Sequence, residues 1–262
     1  MKLLTFLSDF GLKSSYVSQM KGVALSMTDA TIVDISHEIT PHNVFEGAFV
    51  LMTAVPYFPV GTVHVAVVDP GVGTLRRGIV VTTKTHVLIG PDNGLLIPAA
   101  RALGDFTVYE IKNPKLNLGN VSNTFHARDI FTPVAACILN GILFEEIGPV
   151  IKDFVNLDFG NFEIKNKTIT GKIVYVDGFG NIVTNIKGSA LKSLLSYDKK
   201  LSLQVGKKKY EVPFVKSYNF VKPGKILATI GSSDYFEIAL NQGNAAKKLF
   251  VKPGKEIKIL FN

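Results

Sequence analysis

The sequence predicts a two-domain chain: an α/β N-terminal domain with a mostly parallel sheet flanked by helices, then a small antiparallel all-β domain, a barrel or a sandwich. Three observations carry this. Over the first half, continuous Val/Ile/Leu runs alternate with segments of helical spacing. Near residue 152 that alternation gives way to a polar stretch rich in Asn and Gly. Beyond it come short β-branched runs separated by turn residues. The division that follows is an α/β domain over residues 1–155, a linker over 156–167 and an all-β domain over 168–262.

Taken in order, residues 3–7 read as a buried strand. Val17, Met20, Ala24 and Met27 fall at helical spacing. Residues 31–35 are β-branched and strand-like, 44–55 helical, and 62–68 and 79–83 buried strands. Helices follow over 95–103 and 130–139. In the second half, strand-like runs cover 172–176, 182–186, 201–205, 210–212, 226–230 and 257–261, with turn signals between them. The hexapeptide FVKPGK occurs at Phe220 and again at Phe250, and reads as two similar turns rather than a repeat.

Composition narrows the function classes. With 47% hydrophobic residues the chain can bury a sizeable core. A single cysteine, Cys137, rules out an intrachain disulfide framework and fits a reducing, cytoplasmic setting. The opening MKLLTFLSDFG meets Asp9 too early for a signal-peptide core. Residues 47–68 carry no Asp, Glu, Lys or Arg, but Pro56, Pro59 and Gly61 break them into a helix, a turn and a strand, so no membrane span is expected. The net charge of +8 is dispersed apart from Lys207, Lys208 and Lys209. That patch lacks interleaved aromatic residues and reads as a solvated hairpin end, so no nucleic-acid partner is expected.

Several familiar motifs are missing. There is no phosphate loop, no nucleophile elbow and no histidine pair at metal-binding helical spacing; GVGTLR lacks the third glycine of a dinucleotide fingerprint. No metal is expected. What remains is a set of strand ends. Asp9 closes the first strand in SDFG and Asp69 closes the third in VVDPGVG, placing both carboxylates at the edge where open α/β sheets bind ligands. Either acid alone could merely cap a turn; together they suit the two hydroxyls of a ribose. Gly71 and Gly73 allow a sharp turn, after which Arg76 can fold back on Asp69. His126, in NTFHARDIF, stands before an apparent helix start, a setting that His37, His42, His64 and His86 do not share. In the second half, VDGFGNIVTNI exposes Asp177, Phe179 and Asn181: an acid for an ammonium, a ring for a flat heterocycle and an amide for a purine edge. An ordinary Asp-Gly hairpin would look the same. Residues 231–246, GSSDYFEIALNQGNAA, read as a loop–strand–loop able to close over a ligand.

Taken together, SDFG, VVDPGVGTLRRG, PDNG, TFHARD, DGFGN and GSSDYFEIALNQG resemble, in order and across both halves, the S-adenosyl-L-methionine hydroxide adenosyltransferases, relatives of the enzymes that fluorinate or chlorinate the same substrate. The resemblance implies displacement of L-methionine from C5′ by water or hydroxide, giving adenosine, with no metal or redox cofactor. It implies a β-barrel second domain and a homotrimer with sites between neighbouring subunits. It places a catalytic trio on Asp69, Arg76 and His126, ribose binding on Asp9, and adenine recognition on Asn181 beside Phe179. Asp177, Ser232 and Glu237 fall near the methionine end, and Leu240 against adenosine. Ser233 stands where the related halogenases carry an arginine near the substrate carboxylate. The alternatives are a halogenase, which would take a halide in place of water, and a binding module, either for adenosyl ligands without turnover or for RNA through the basic second half.

Overall fold

A computed structural model describes residues 2–261. The chain forms two units, the first ending at Asp158 and the second beginning at Phe159. In the first, a seven-stranded sheet runs in the order β2 (Thr31–Ser36), β1 (Leu3–Ser8), β3 (Val63–Val67), β5 (Val87–Pro91), β4 (Gly78–Thr83), β6 (Phe106–Glu110) and β7 (Val150–Ile151). The parallel character predicted from the buried runs holds for β2-β1-β3-β5; from β5 outwards the pairings are antiparallel, so the sheet is mixed. Every residue of β1 and β3 is buried, because helices cover both faces. Helix α1 (Tyr16–Met27) turns Val17, Met20 and Ala24 inwards and packs on α4 (Thr132–Leu139), while α2 (Val44–Ala54) packs on α3 (Ile97–Leu103). No helix among the described residues is long and apolar enough to cross a membrane. Residues 47–68 resolve into the end of α2, a tight turn at Val55–Tyr57 and β3.

The register fixes where the two strand-end acids leave the sheet. Ser8 pairs with Val67, so β1 and β3 end level and release Asp9 and Asp69 at one edge. Deeper in the same sheet His64 is fully buried. Its Nδ1 lies 2.7 Å from the Thr5 hydroxyl, and its ring stacks on His86 at 5.3 Å. Burial, reinforced by the neighbouring His86, pushes its pKa down to about 3.

The second unit is a seven-stranded closed barrel of β10 (Ile182–Lys187), β14 (Tyr235–Leu240), β13 (Ile226–Ile230), β12 (Lys208–Phe214), β11 (Lys199–Val205), β15 (Glu256–Leu260) and β9 (Thr168–Val176), with β9 pairing back to β10. All pairings are antiparallel except β12–β13. Strand β8 (Glu163–Lys165) adds to the free side of β9, within the stretch the sequence offers as a linker. Short helices α5 (Gly188–Leu191) and α6 (Ala245–Leu249) follow β10 and β14. Alternation along the strands sends Phe236 and Ile238 of β14 into the core with Ile182, Leu203 and Ile257, leaving Glu237 on the outer face. Both FVKPGK stretches are turns with a left-handed glycine, φ +76° at Gly224 and +88° at Gly254.

Candidate active site

The edge formed by β1 and β3 opens into a cavity of about 300 Å³ lined by Asp9, Asp69 and His126 together with Phe10, Tyr16 and Phe125. Asp9 Oδ2 accepts the backbone N–H of His42 at 2.8 Å. After Asp69 the chain turns at once, with Val72 N donating to the Asp69 carbonyl and Thr74 Oγ1 to that of Gly71 at 2.7 Å. The turn brings Arg76 back over the acid. Its Nε donates to both carboxylate oxygens, at 3.0 and 2.9 Å, and its Nη2 to Oδ2 at 2.5 Å. The Phe131 ring lies 5.2 Å beneath the guanidinium.

Arg76 Nη2 also reaches His126 Nδ1, at 2.8 Å. A guanidinium can only donate, so Nδ1 is the acceptor and the imidazole is neutral with its proton on Nε2. Electrostatics agree. Burial lowers the His126 pKa and the Arg76 charge lowers it further, against smaller upward pulls from Asp69 and Asp129. Asp69 and His126 face the cavity, whereas Arg76 lies behind them, on the wall of an adjoining hollow of about 280 Å³ that His126 also lines. The guanidinium therefore braces the other two from behind.

Two backbone features make the meeting possible. Gly73 has φ +77°, and a Cβ there would stand 2.3 Å from the Asn123 carbonyl oxygen, so only glycine lets the two loops touch. His126 leads directly into a π-turn, Ala127–Phe131, in which the N–H of Thr132 bonds the Ala127 carbonyl. The loop before it is anchored by the fully buried Asp129, which accepts from Ser122 N at 2.8 Å and from Arg128 Nε at 2.6 Å. Burial alone would raise this acid, but the Arg128 and Ser122 donors outweigh it and hold it below the usual carboxylate range.

Arg77, adjacent in sequence, points elsewhere. It binds Asp92 of the PDNG stretch through Nε and Nη2 at 2.9 and 2.7 Å, and Asp153 at 3.0 Å. PDNG thus supports the sheet edge, with Asn93 Nδ2 donating to the Val68 carbonyl at 2.8 Å. The aromatic wall is not singled out by the sequence. Phe10, Tyr16 and Phe125 meet edge-to-face at 5.2–5.9 Å. Phe10 and Phe125 sit inside SDFG and TFHARD, one residue from the acid and the imidazole, which is a usable signal; Tyr16 carries none.

In the barrel unit a second cavity, about 660 Å³, is lined by Asp177, Phe179, Asn181, Leu240 and Tyr218. Asp177 organises the β9–β10 turn, accepting from Phe179 N, Asn181 N and Asn181 Nδ2 at 2.8–2.9 Å. The turn leaves the Phe179 ring 82% exposed and Asn181 buried. Glu237 is buried beside this cavity and accepts the Tyr218 hydroxyl at 2.8 Å. Burial pushes the Glu237 carboxyl up and nearby Asp177 adds to the shift, against the Tyr218 bond. Nothing in the sequence singles out Tyr218, which lines this cavity. Ser232 and Ser233 are exposed in the turn before β14 and do not line the cavity.

Comparisons with known proteins bear on both units. The description "SAM hydroxide adenosyltransferase N-terminal domain" matches residues 4–148, and the corresponding C-terminal domain matches residues 171–258. The chain is 39% identical to the (R)-S-adenosyl-L-methionine hydrolase of Methanocaldococcus jannaschii, covering 99% of this chain and 96% of that one. It is 38% identical to the (R)-S-adenosyl-L-methionine hydrolase of Salinispora tropica, covering 98% and 97%. A fluorinase of an Actinoplanes species is more distant, at 27% identity over 98% of this chain and 97% of that protein. The crystal structure of an uncharacterized conserved protein from Thermotoga maritima superposes with a TM-score of 0.94 at 38% identity, covering 99% of this chain and all of the other. On two matched domains and full-length relatives above 30% identity, the chain belongs to the SAM hydroxide adenosyltransferase family.

Proposed function

We propose that this chain hydrolyses S-adenosyl-L-methionine to adenosine and L-methionine. The observation that carries the reading is the Arg76 guanidinium bridging, from behind, Asp69 and His126 of a cavity that also holds Asp9. The C5′–S bond breaks with its electron pair going to sulfur, a C5′–O bond forms, and the water loses one proton. Methionine leaves neutral at sulfur, so acid catalysis of departure is unnecessary and the weak nucleophile is the obstacle. His126, with its proton on Nε2, donates to the water oxygen and orients it. Asp69 takes the proton on the lone-pair capacity Arg76 leaves open, and the guanidinium favours the growing hydroxide charge. This assigns His126 to orientation rather than to proton abstraction, because Arg76 already occupies Nδ1.

Asp9 holds the ribose hydroxyls. Phe179, Asn181 and Leu240 take the adenine, and Asp177 and Glu237 the methionine ammonium, with Ser232 and Ser233 near the amino-acid end. An arriving cation would hold Glu237 charged against its burial. S-adenosyl-L-methionine is substrate, not cofactor, and the chemistry calls for no electron transfer. Sites shared between neighbouring copies of a homotrimer, working in the cytoplasm, complete the proposal. The test is turnover in ¹⁸O-labelled water with chloride and fluoride present. Label on C5′ of adenosine and no halogenated nucleoside is expected. Unlabelled adenosine or a 5′-halogenated product overturns the reading.

A further inference from the structure

One cavity of the barrel unit takes no part in that reaction. It encloses about 420 Å³ between the β11–β12 hairpin, the end of α6 and β15, and is lined by Lys207, Lys208, Lys255, Lys258, Glu256 and Phe250, among others. Its single carboxylate, Glu256, lies 3.4 Å from Lys258, which leaves the other lysines in excess. Phe250 is the unusual member. It ends α6 with φ +55°, a conformation bulky side chains rarely adopt, and its ring is 77% exposed. Lys208 Nζ lies 5.5 Å from the ring centroid, and Lys255 Nζ donates to the Phe250 carbonyl at 3.3 Å. Core packing does not explain an aromatic ring held in solvent, in a left-handed conformation, between cations. The lysines at 207–209 read as a solvated hairpin end because no aromatic residue interleaves them in sequence. The fold supplies one from the end of α6.

We propose that this cavity binds a nucleotide unit, its base stacked on Phe250 and its phosphate held by Lys207, Lys208 and Lys255. A ring that tolerates any flat base beside a cluster of cations is the combination that nucleotide phosphates require. Residues from Phe159 onwards carry 18 lysines and no arginine against 7 carboxylates, a net +11 that favours a polyanion. Free nucleotides and single-stranded nucleic acid share this chemistry. The proposal stands whether or not the chain hydrolyses S-adenosyl-L-methionine.

The test uses the full chain, with fluorescence anisotropy of a labelled oligouridylate and calorimetry with AMP and ATP. At least one of these ligands binds below roughly 100 µM at low salt, and its affinity falls at least about tenfold between about 50 and 200 mM salt. Phe250→Asn removes the ring while tolerating the left-handed backbone, so the fold is kept. That variant, and the double variant Lys208→Ala/Lys255→Ala, each weaken binding at least about fivefold with turnover of S-adenosyl-L-methionine unchanged. Binding of the oligonucleotide alone assigns the natural ligand to a single strand, and binding of AMP or ATP alone to a free nucleotide. No binding of any of them below roughly 1 mM, or binding that both variants leave intact, overturns the proposal.

Discussion

All four arginines of the chain lie before residue 159, and each is committed to a stated acceptor: Arg76 to Asp69, Arg77 to Asp92 and Asp153, Arg101 to Asn156, and Arg128 to Asp129. The barrel unit has no arginine, and among the described residues its 18 lysines form one ion pair, Lys258–Glu256. Net charge divides likewise, 11 basic against 14 acidic residues before residue 159 and 18 against 7 after it. The contrast is between charge used as geometry and charge used as field. A planar fork fixes two oxygens at once, while a mobile ammonium sets a potential and little else.

The strongest way to break this comparison is Arg76→Lys, which keeps the charge and loses the fork. Turnover falls at least about tenfold in steady-state assays of adenosine formation, and Arg76→Ala falls at least about a hundredfold, with substrate affinity changed far less. A lysine variant as active as the parent would mean that charge alone suffices there.

Acid offers the next test, because all five histidines also lie before residue 159. His64 titrates at about 3 when folded and near 6.5 when unfolded, so below about pH 6.5 the unfolded chain binds the extra proton and the first unit loses stability. Asp129, depressed in the fold, acts in the same direction lower down. In the barrel, Glu237 is raised in the fold, so its contribution has the opposite sign: it is present at low pH and lost as pH rises through its elevated pKa. Hydrogen exchange, corrected for intrinsic rates, will show the first unit losing on the order of 2 kcal/mol between pH 6.5 and about 4.5 while the barrel loses none. The same logic places the acid limb of turnover below pH 6.5, since the His126 pKa is lowered and the proposed mechanism uses its neutral form. The smallest effect is at Phe250. Replacing an exposed, left-handed phenylalanine with asparagine leaves urea-denaturation stability unchanged or raised by up to about 1 kcal/mol.

Much of this was legible in the residues, for identifiable reasons. Strands β1 and β3 are buried on both faces and so are written as unbroken apolar runs. In the antiparallel half only β4 is written plainly, over 79–83; β6 is mostly half-buried, β7 has two residues, and β5 ends on Gly90 and Pro91, which weaken a strand pattern. Seven residues of separation suffice to suggest that Arg76 folds back on Asp69. Nothing local announces that the same guanidinium meets His126, fifty residues on, because that contact depends on Gly73 touching Asn123. Ring neighbours such as Phe250 beside Lys208 are likewise a product of barrel closure, not of local sequence.

The π-turn that follows His126 is one residue more than a regular helix would hold. Removing a single residue from Ala127–Phe131 would let α4 continue with ordinary spacing and gain local regularity, while swinging position 126 by about 100° around the helix axis, away from Arg76. The shortened chain would be a tidier helix former and a poorer catalyst, so in this segment local helix regularity and the placement of His126 pull in opposite directions.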